Sequence, residues 1–224
     1  MNILIVAATI SEVLPFINTL KLKEKITYKC YIGEYNNYQI DLLITGIGMI
    51  ATTYNLTKTI TLNKYDIAIN AGVAGSFSKD LPNGEVVNVV EDKFSELGAE
   101  DGLSFVAFNE LNIEPHNIEK ITNPLVNYPK TMGCLKKVKG ITVNTVHGNE
   151  KSINDIIKID NPDIETMEGA AFMYVCLFEN IKFIQLRAIS NRIEKRNKEN
   201  WNIPLAIKNL NNTLLSILQE KIIF

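Results

Sequence analysis

The chain opens with Asn2-Ile3-Leu4-Ile5-Val6-Ala7-Ala8, an unbroken apolar run rich in β-branched residues. A strand with one wet face alternates apolar and polar positions, so an unbroken run marks a strand covered on both faces. Similar runs recur at 40–45, 66–71, 84–90, 140–146 and 183–189, each bounded by Gly, Asn, Asp or Pro. Helical spacing fills several of the intervals. Residues 49–62 carry Ile50, Tyr54, Thr57 and the 60–62 cluster, and 168–178 are apolar almost all round, as a helix enclosed by protein must be. The 204–222 segment is the clearest amphipathic helix, with Leu205, Ile207, Leu210, Leu214, Leu215, Leu218 and Ile222 at three- and four-residue steps. This alternation predicts an α/β fold, a mostly parallel or mixed sheet flanked by helices on both faces. With 224 residues and no repeat or linker, one domain over 1–224 is expected. Residues 101–129 are the least regular and should leave the sheet.

Composition narrows the chemistry. Apolar residues make up 46% and charged residues 21%, enough core to offset chain entropy. The net charge is -2 and the 23 basic side chains are dispersed, which argues against a nucleic-acid partner. No apolar stretch is long enough to span a bilayer, and the apolar start lacks a cationic flank, so no membrane partner, no export and a cytoplasmic location are expected. Cys30, Cys134 and Cys176 then read as free thiols, and the glycosylation sequons at 55–57 and 211–213 as irrelevant. The only histidines are His116 and His147, and no Cys-x-x-Cys or His-x-x-x-His spacing exists. Neither a metal nor a cofactor is expected. Carboxylates, amides, hydroxyls and backbone must carry the function.

In open α/β sheets, ligands bind at the carboxyl ends of strands. Those ends deliver Thr9, Ser11 and Glu12, then Thr45, Gly46 and Gly48, then Asn70, Gly72 and Gly75, and last Ser190 and Asn191. Gly46-Ile47-Gly48-Met49-Ile50-Ala51 matches a dinucleotide fingerprint, yet the acid that should bind ribose, Asp66, opens the next strand instead of closing it. A tight turn is the better reading. Asn70-Ala71-Gly72-Val73-Ala74-Gly75-Ser76 reads as a strand followed by a turn that exposes backbone N–H groups. Glu168, in Glu165-Thr166-Met167-Glu168-Gly169-Ala170-Ala171, stands where a short strand meets an apolar helix. There the positive helix end would hold it ionised, ready to accept from a vicinal diol, though a capping acid would look the same. Asn191 could read a purine edge or form an Asx turn. Thr145 and His147 end another strand, and each reads first as a structural polar group.

Taken together, these residues resemble the nucleoside phosphorylase and nucleosidase superfamily over nearly the whole length. The resemblance rests on Glu12, Thr45-Gly46-Ile47-Gly48, Asn70-Ala71-Gly72-Val73-Ala74-Gly75, Met167-Glu168-Gly169-Ala170 and Arg187-Ala188-Ile189-Ser190, in that family's order and spacing. The methylthioadenosine and S-adenosylhomocysteine nucleosidases end the last motif with Asp, where this chain has Asn191. Ser190-Asn191-Arg192, Glu194-Lys195-Arg196-Asn197 and Trp201-Asn202-Ile203-Pro204 are similar to the futalosine hydrolase branch. That likeness implies hydrolysis of the N-glycosidic bond of futalosine, an intermediate of menaquinone synthesis, releasing hypoxanthine and dehypoxanthine futalosine. The alternatives are a methylthioadenosine nucleosidase, a purine nucleoside phosphorylase, or a binding module without activity.

The residues support hydrolysis. A phosphorylase needs arginine forks for phosphate. The three arginines, Arg187, Arg192 and Arg196, all lie in the last third, whereas Glu12 would repel phosphate and can deprotonate water. Asn191 can donate to a 6-oxo group as the purine leaves, and amide rotation lets it serve adenine too. The resemblance further implies that Met167 and Glu168 hold the ribose and that Ile47, Val73, Ala74, Gly75 and Ser190 line the pocket. For futalosine's benzoate, Arg192, Lys195 and Arg196 are candidates or else a solvated loop. Trp201 is either a pocket wall or a helix anchor. A nucleoside and water would be the small-molecule partners. A homo-oligomer, a dimer or a multiple of dimers, is implied because this superfamily usually completes its pocket across a subunit interface.

Overall fold

The structure is a computed structural model that describes residues 1–25, 30–102, 104–111, 120–125 and 129–220. The first half of the chain runs β1 (Asn2–Ala7), α1 (Ile10–Leu20), β2 (Lys23–Lys25), β3 (Cys30–Tyr35), β4 (Tyr38–Ile44), α2 (Met49–Leu62), β5 (Ile67–Ser76), β6 (Val86–Phe94), β7 (Gly98–Asp101) and β8 (Ser104–Ala107). The second half continues with β9 (Lys120–Thr122), α3 (Lys130–Gly133), β10 (Lys136–Thr142), α4 (Glu150–Asp160), β11 (Ile164–Thr166), α5 (Gly169–Phe178), β12 (Lys182–Arg192) and α6 (Ile203–Gln219).

Ten strands form one mixed sheet in the order β11-β10-β6-β12-β5-β1-β4-β3-β2, with β9 against β6. The pairs β1–β4, β1–β5, β5–β12, β6–β10 and β10–β11 are parallel. The α/β architecture expected from the apolar runs is therefore present. β11 also turns back to pair antiparallel with the far end of β5, through Ile164 with Ser76 and Glu165 with Gly75. Strands β5, β12, β6, β10 and β11 consequently close into a ring.

Helices cover both faces because every central strand is apolar on both. α1 and α6 bury Val13, Phe16, Ile17, Leu210, Leu214 and Leu218 against Ile3, Ile5, Ile69 and Leu186. On the other face α2 and α5 bury Leu56, Phe172, Met173 and Cys176 against Leu4, Val6, Ala68 and Phe183. The three cysteines are unpaired. Among the described residues no helix is long and apolar enough to cross a membrane.

Several boundaries differ from the sequence reading. β5 does not end at Ala71 but continues through Gly72-Val73-Ala74-Gly75 to Ser76, paired along its length with β12. Small residues here let neighbouring side chains close over a continuing strand, and they do not mark a turn. β10 starts at Lys136 and ends at Thr142 rather than spanning 140–146. Exposed Lys136, Lys137 and Lys139 hid its start, and Thr145 and His147 lie in the loop beyond it. β7 and β8, over 98–107, form a hairpin apart from the main sheet, but β9, inside the 101–129 segment expected to leave the sheet, pairs with β6. His116 and the last residues of the predicted 204–222 helix lie outside the described residues.

Candidate active site

Glu12 is fixed from four directions. It occupies the first turn of α1, where its Oε2 accepts from the Thr9 N–H at 2.9 Å and from the Thr9 hydroxyl at 3.0 Å. Its Oε1 accepts from the Val73 N–H of β5 at 3.0 Å. Its backbone is held by Asn211 of α6, whose Nδ2 donates to the Glu12 carbonyl at 2.8 Å while its Oδ1 accepts from the Phe16 N–H at 2.9 Å. A buried amide thus replaces one rung of the α1 ladder, next to Pro15. Glu12 is 8% exposed.

Gly72 makes this approach possible. A Cβ there would collide with the Arg187 guanidinium and lie 2.9 Å from Glu12 Oε1. Arg187 is 1% exposed and donates from Nε and Nη2 to Gln185 Oε1. Gln185 in turn donates to Asp92 at 3.0 Å, and Asp92 also accepts from the Thr142 hydroxyl at 2.9 Å. Burial pushes the Asp92 carboxyl up to about 6 despite these donors and the nearby Arg187 charge. Thr142 accepts from the Ala170 N–H at 2.7 Å, and Thr166 from the Gly169 N–H at 3.1 Å, so the free amide ends of α5 rest on the same network.

Glu168 immediately precedes α5 and is 7% exposed. Its side chain does not cap its own helix. Oε1 instead accepts from the Gly48 N–H at 2.9 Å, across the loop between β4 and α2. Gly46 and Gly48 supply the positive φ values, 89° and 94°, that this loop requires. The positive end of α5 is not among the leading influences on the Glu168 charge. Burial raises its pKa, the Glu12 charge adds to that, and Arg187 and the Gly48 N–H only partly offset them. Asp66, by contrast, accepts from the Asn2 N–H at 2.7 Å, at the opposite end of β1, where it could not serve a dinucleotide ribose.

Asn191 lies at the end of β12, level with Gly75. Ser190 is a bulge between Ile189 and Asn191, and its hydroxyl lies 2.8 Å from Asn191 Oδ1 and 3.1 Å from the Ala74 carbonyl. Asn191 Nδ2 donates to the Arg192 carbonyl at 3.0 Å. Val73 and Gly75 share one face of β5, whereas Ala74 points into the apolar core, so its side chain does not line the pocket expected of it. Met167 is half-buried beside Glu168. Ile47 is 61% exposed at the loop tip. Arg192, Lys195 and Arg196 are exposed, and Arg196 stacks on the half-buried Trp201 with its guanidinium 5.2 Å from the ring centre.

One pair was not visible in the sequence. His147 Nδ1 is hydrogen-bonded to Glu165 Oε2, and the His147 N–H donates to Glu165 Oε1 at 2.9 Å. A separation of 18 positions conceals this contact, which only the β11 pairing brings about. Among the described residues no group of three or more His, Cys, Asp or Glu converges as a metal ion would require.

Residues 2–219 match the phosphorylase superfamily, and the chain belongs to it. Within that superfamily its relatives are named as nucleosidases and hydrolases, enzymes that cleave N-glycosidic bonds, and the protein is a nucleosidase of this group. It is 26% identical to the futalosine hydrolase of Acidothermus cellulolyticus, over 79% of this chain and 74% of that one. It is 27% identical to the 5'-methylthioadenosine/S-adenosylhomocysteine nucleosidase of Haemophilus ducreyi, over 86% and 85% of the two chains. A solved futalosine hydrolase mutant of Helicobacter pylori superimposes with a TM-score of 0.82 at 17% identity, covering 99% of this chain and 100% of that one, which establishes the shared fold.

Proposed function

We propose that the protein hydrolyses the N-glycosidic bond of a 6-oxopurine nucleoside, with futalosine as the substrate and water as the nucleophile. The observation that carries this reading is the spacing along β5. Glu12 bonds to the Val73 N–H, and Asn191 lies level with Gly75, two residues on and on the same face of the strand. The two anchor points are about 7 Å apart along β5, so a nucleoside seated there meets Glu12 on its sugar side and Asn191 on its base side. Glu12 takes the proton of the attacking water, Glu168 and Met167 hold the ribose hydroxyls, and Asn191 donates to the base.

Hydrolysis is favoured over phosphorolysis by where the arginines stand. Arg187 is buried and engaged with Gln185, while Arg192 and Arg196 are exposed near the Asn191 end, away from Glu12. Those two and Lys195 remain the cations available to a benzoate. The homo-oligomer finds support in α2, where Ile50 is 85% and Tyr54 64% exposed on a helix that follows directly on Gly48, the residue bonded to Glu168.

A methylthioadenosine nucleosidase is the second reading, because relatives of that name match at similar identity. Incubating the protein with futalosine or methylthioadenosine, with and without phosphate, separates the possibilities. Hypoxanthine release that ignores phosphate is the expected result. Preferential adenine release would select the second reading, and phosphate dependence would remove the hydrolase. Asn191→Asp should shift the ratio of kcat/KM for 6-oxo over 6-amino substrates by about tenfold toward the 6-amino nucleoside. An unchanged ratio would show that Asn191 does not read the base.

A further inference from the structure

Purine departure poses a problem that Asn191 does not solve. As the C1′–N9 bond breaks, its electron pair goes to the base, which leaves most readily when a ring nitrogen gains a proton. An amide donates a hydrogen bond but has no proton to transfer at neutral pH. A titratable partner is needed on the base side.

The sheet register supplies one. Glu165, Gly75 and Asn191 are lateral neighbours on β11, β5 and β12. Laterally paired residues project to the same face, so the side chains of Glu165 and Asn191 flank a glycine, with about 10 Å between their strands. Ile193 packs over that glycine and lies 2.8 Å from where a Cβ would be, giving an apolar surface between two polar walls. His147 is doubly tied to Glu165, and its Nε2 has no partner among the described residues. One loop spans both walls, since the Arg196 N–H donates to the Gly148 carbonyl at 3.3 Å and the Asn202 N–H to the Ser190 carbonyl at 2.8 Å.

We propose that His147 is the general acid that protonates the departing purine, with Glu165 as the residue that positions it. This deepens the nucleosidase reading and rests on it. In the step, a water oxygen bonds to C1′ as the C1′–N9 pair passes to the purine. The His147 Nε2 proton moves to a ring nitrogen of the base, and Glu12 takes the proton lost by the water. The products are the free purine and the sugar hemiacetal, the sum of nucleoside and water. Exchange with solvent then returns a proton to His147 and removes one from Glu12.

The charged groups facing His147 are Glu165 and, through space, Glu96, both acidic. Arg196 approaches through its backbone, and its guanidinium lies on Trp201. The hydrogen bond to Glu165 is the largest influence and raises the imidazole pKa, burial opposes it, and the two carboxylate charges raise it further. The imidazolium therefore persists to higher pH than in free histidine.

The test measures kcat/KM against pH for wild type, His147→Gln and Glu165→Gln on the nucleoside that the wild type cleaves. The same nucleoside methylated at N7, whose base already carries positive charge, is measured beside it. Wild type should lose activity on the alkaline side. His147→Gln should lack that limb and fall at least about 100-fold on the unmodified nucleoside, with a far smaller loss on the methylated one. Glu165→Gln should keep the limb and move it to lower pH. Wild-type rate and profile in His147→Gln would overturn the proposal, as would an equal loss on both nucleosides with the profile unmoved. Wild type that cleaves no nucleoside would instead remove the nucleosidase reading, and this proposal with it.

Discussion

The Glu12 carboxylate has its accepting positions mostly filled by Thr9 and Val73, which holds it at one angle. Such restraint suits a base that must meet a water at a fixed point. Glu12→Gln should lower kcat by about 100-fold or more while the far-ultraviolet spectrum and Tm stay near wild type. A variant retaining wild-type turnover would exclude Glu12 as the base. Asp92 offers a different measurement. Its folded pKa of about 6 exceeds its ordinary value of 3.8, so the folded chain binds that proton more tightly than the unfolded chain does. The resulting stability is complete below pH 4 and is lost as pH rises through about 6. Asp92→Asn should therefore gain on wild type in unfolding free energy between pH 4 and pH 7, by something on the order of 3 kcal/mol, and a constant offset across that range would contradict the assignment. Glu12 and Glu168 were legible because charges at the ends of apolar runs are conspicuous. His147, Glu165, Asp92 and Gln185 were not, since each is ordinary in its local window and gains meaning only from partners on other strands.

Among the elements, α6 shows how a stabilising helix reaches the chemistry. Its apolar stripe of Leu210, Leu214 and Leu218 was plain from periodicity, but Asn211 interrupts that stripe and is only 2% exposed. A polar residue inside an apolar face is the signal that could have revealed it. Asn211→Leu should destabilise the fold by about 1–3 kcal/mol, because the Glu12 carbonyl and the Phe16 N–H lose their partner. It should also lower kcat more than it changes KM, since the α1 turn bearing Glu12 loosens. Lost stability with an unaltered kcat would confine Asn211 to a structural role. Strand β5 gave the opposite lesson. Its central run was evident, yet its continuation through Gly72 to Ser76 was hidden, as glycine and alanine carry little strand preference and tertiary pairing with β12 decides the matter.

For the molecule as a whole, the mixed sheet with helices on both faces could be read from alternating runs. The closing of β11 onto β5 could not, because a three-residue strand has no periodicity of its own. Assembly beyond one chain has its own test. If α2 meets a second copy, Ile50→Glu with Tyr54→Glu should yield a monomer by light scattering and reduce activity, whereas an unchanged mass would place the contact elsewhere.

Strand β12 also sets an order of events during synthesis. Until it emerges, β5 has β1 on one side and a bare edge of small, apolar residues on the other, the kind of edge that recruits stray chains. A ribosome that stalls before residue 182 would therefore release an adhesive fragment rather than a partial enzyme.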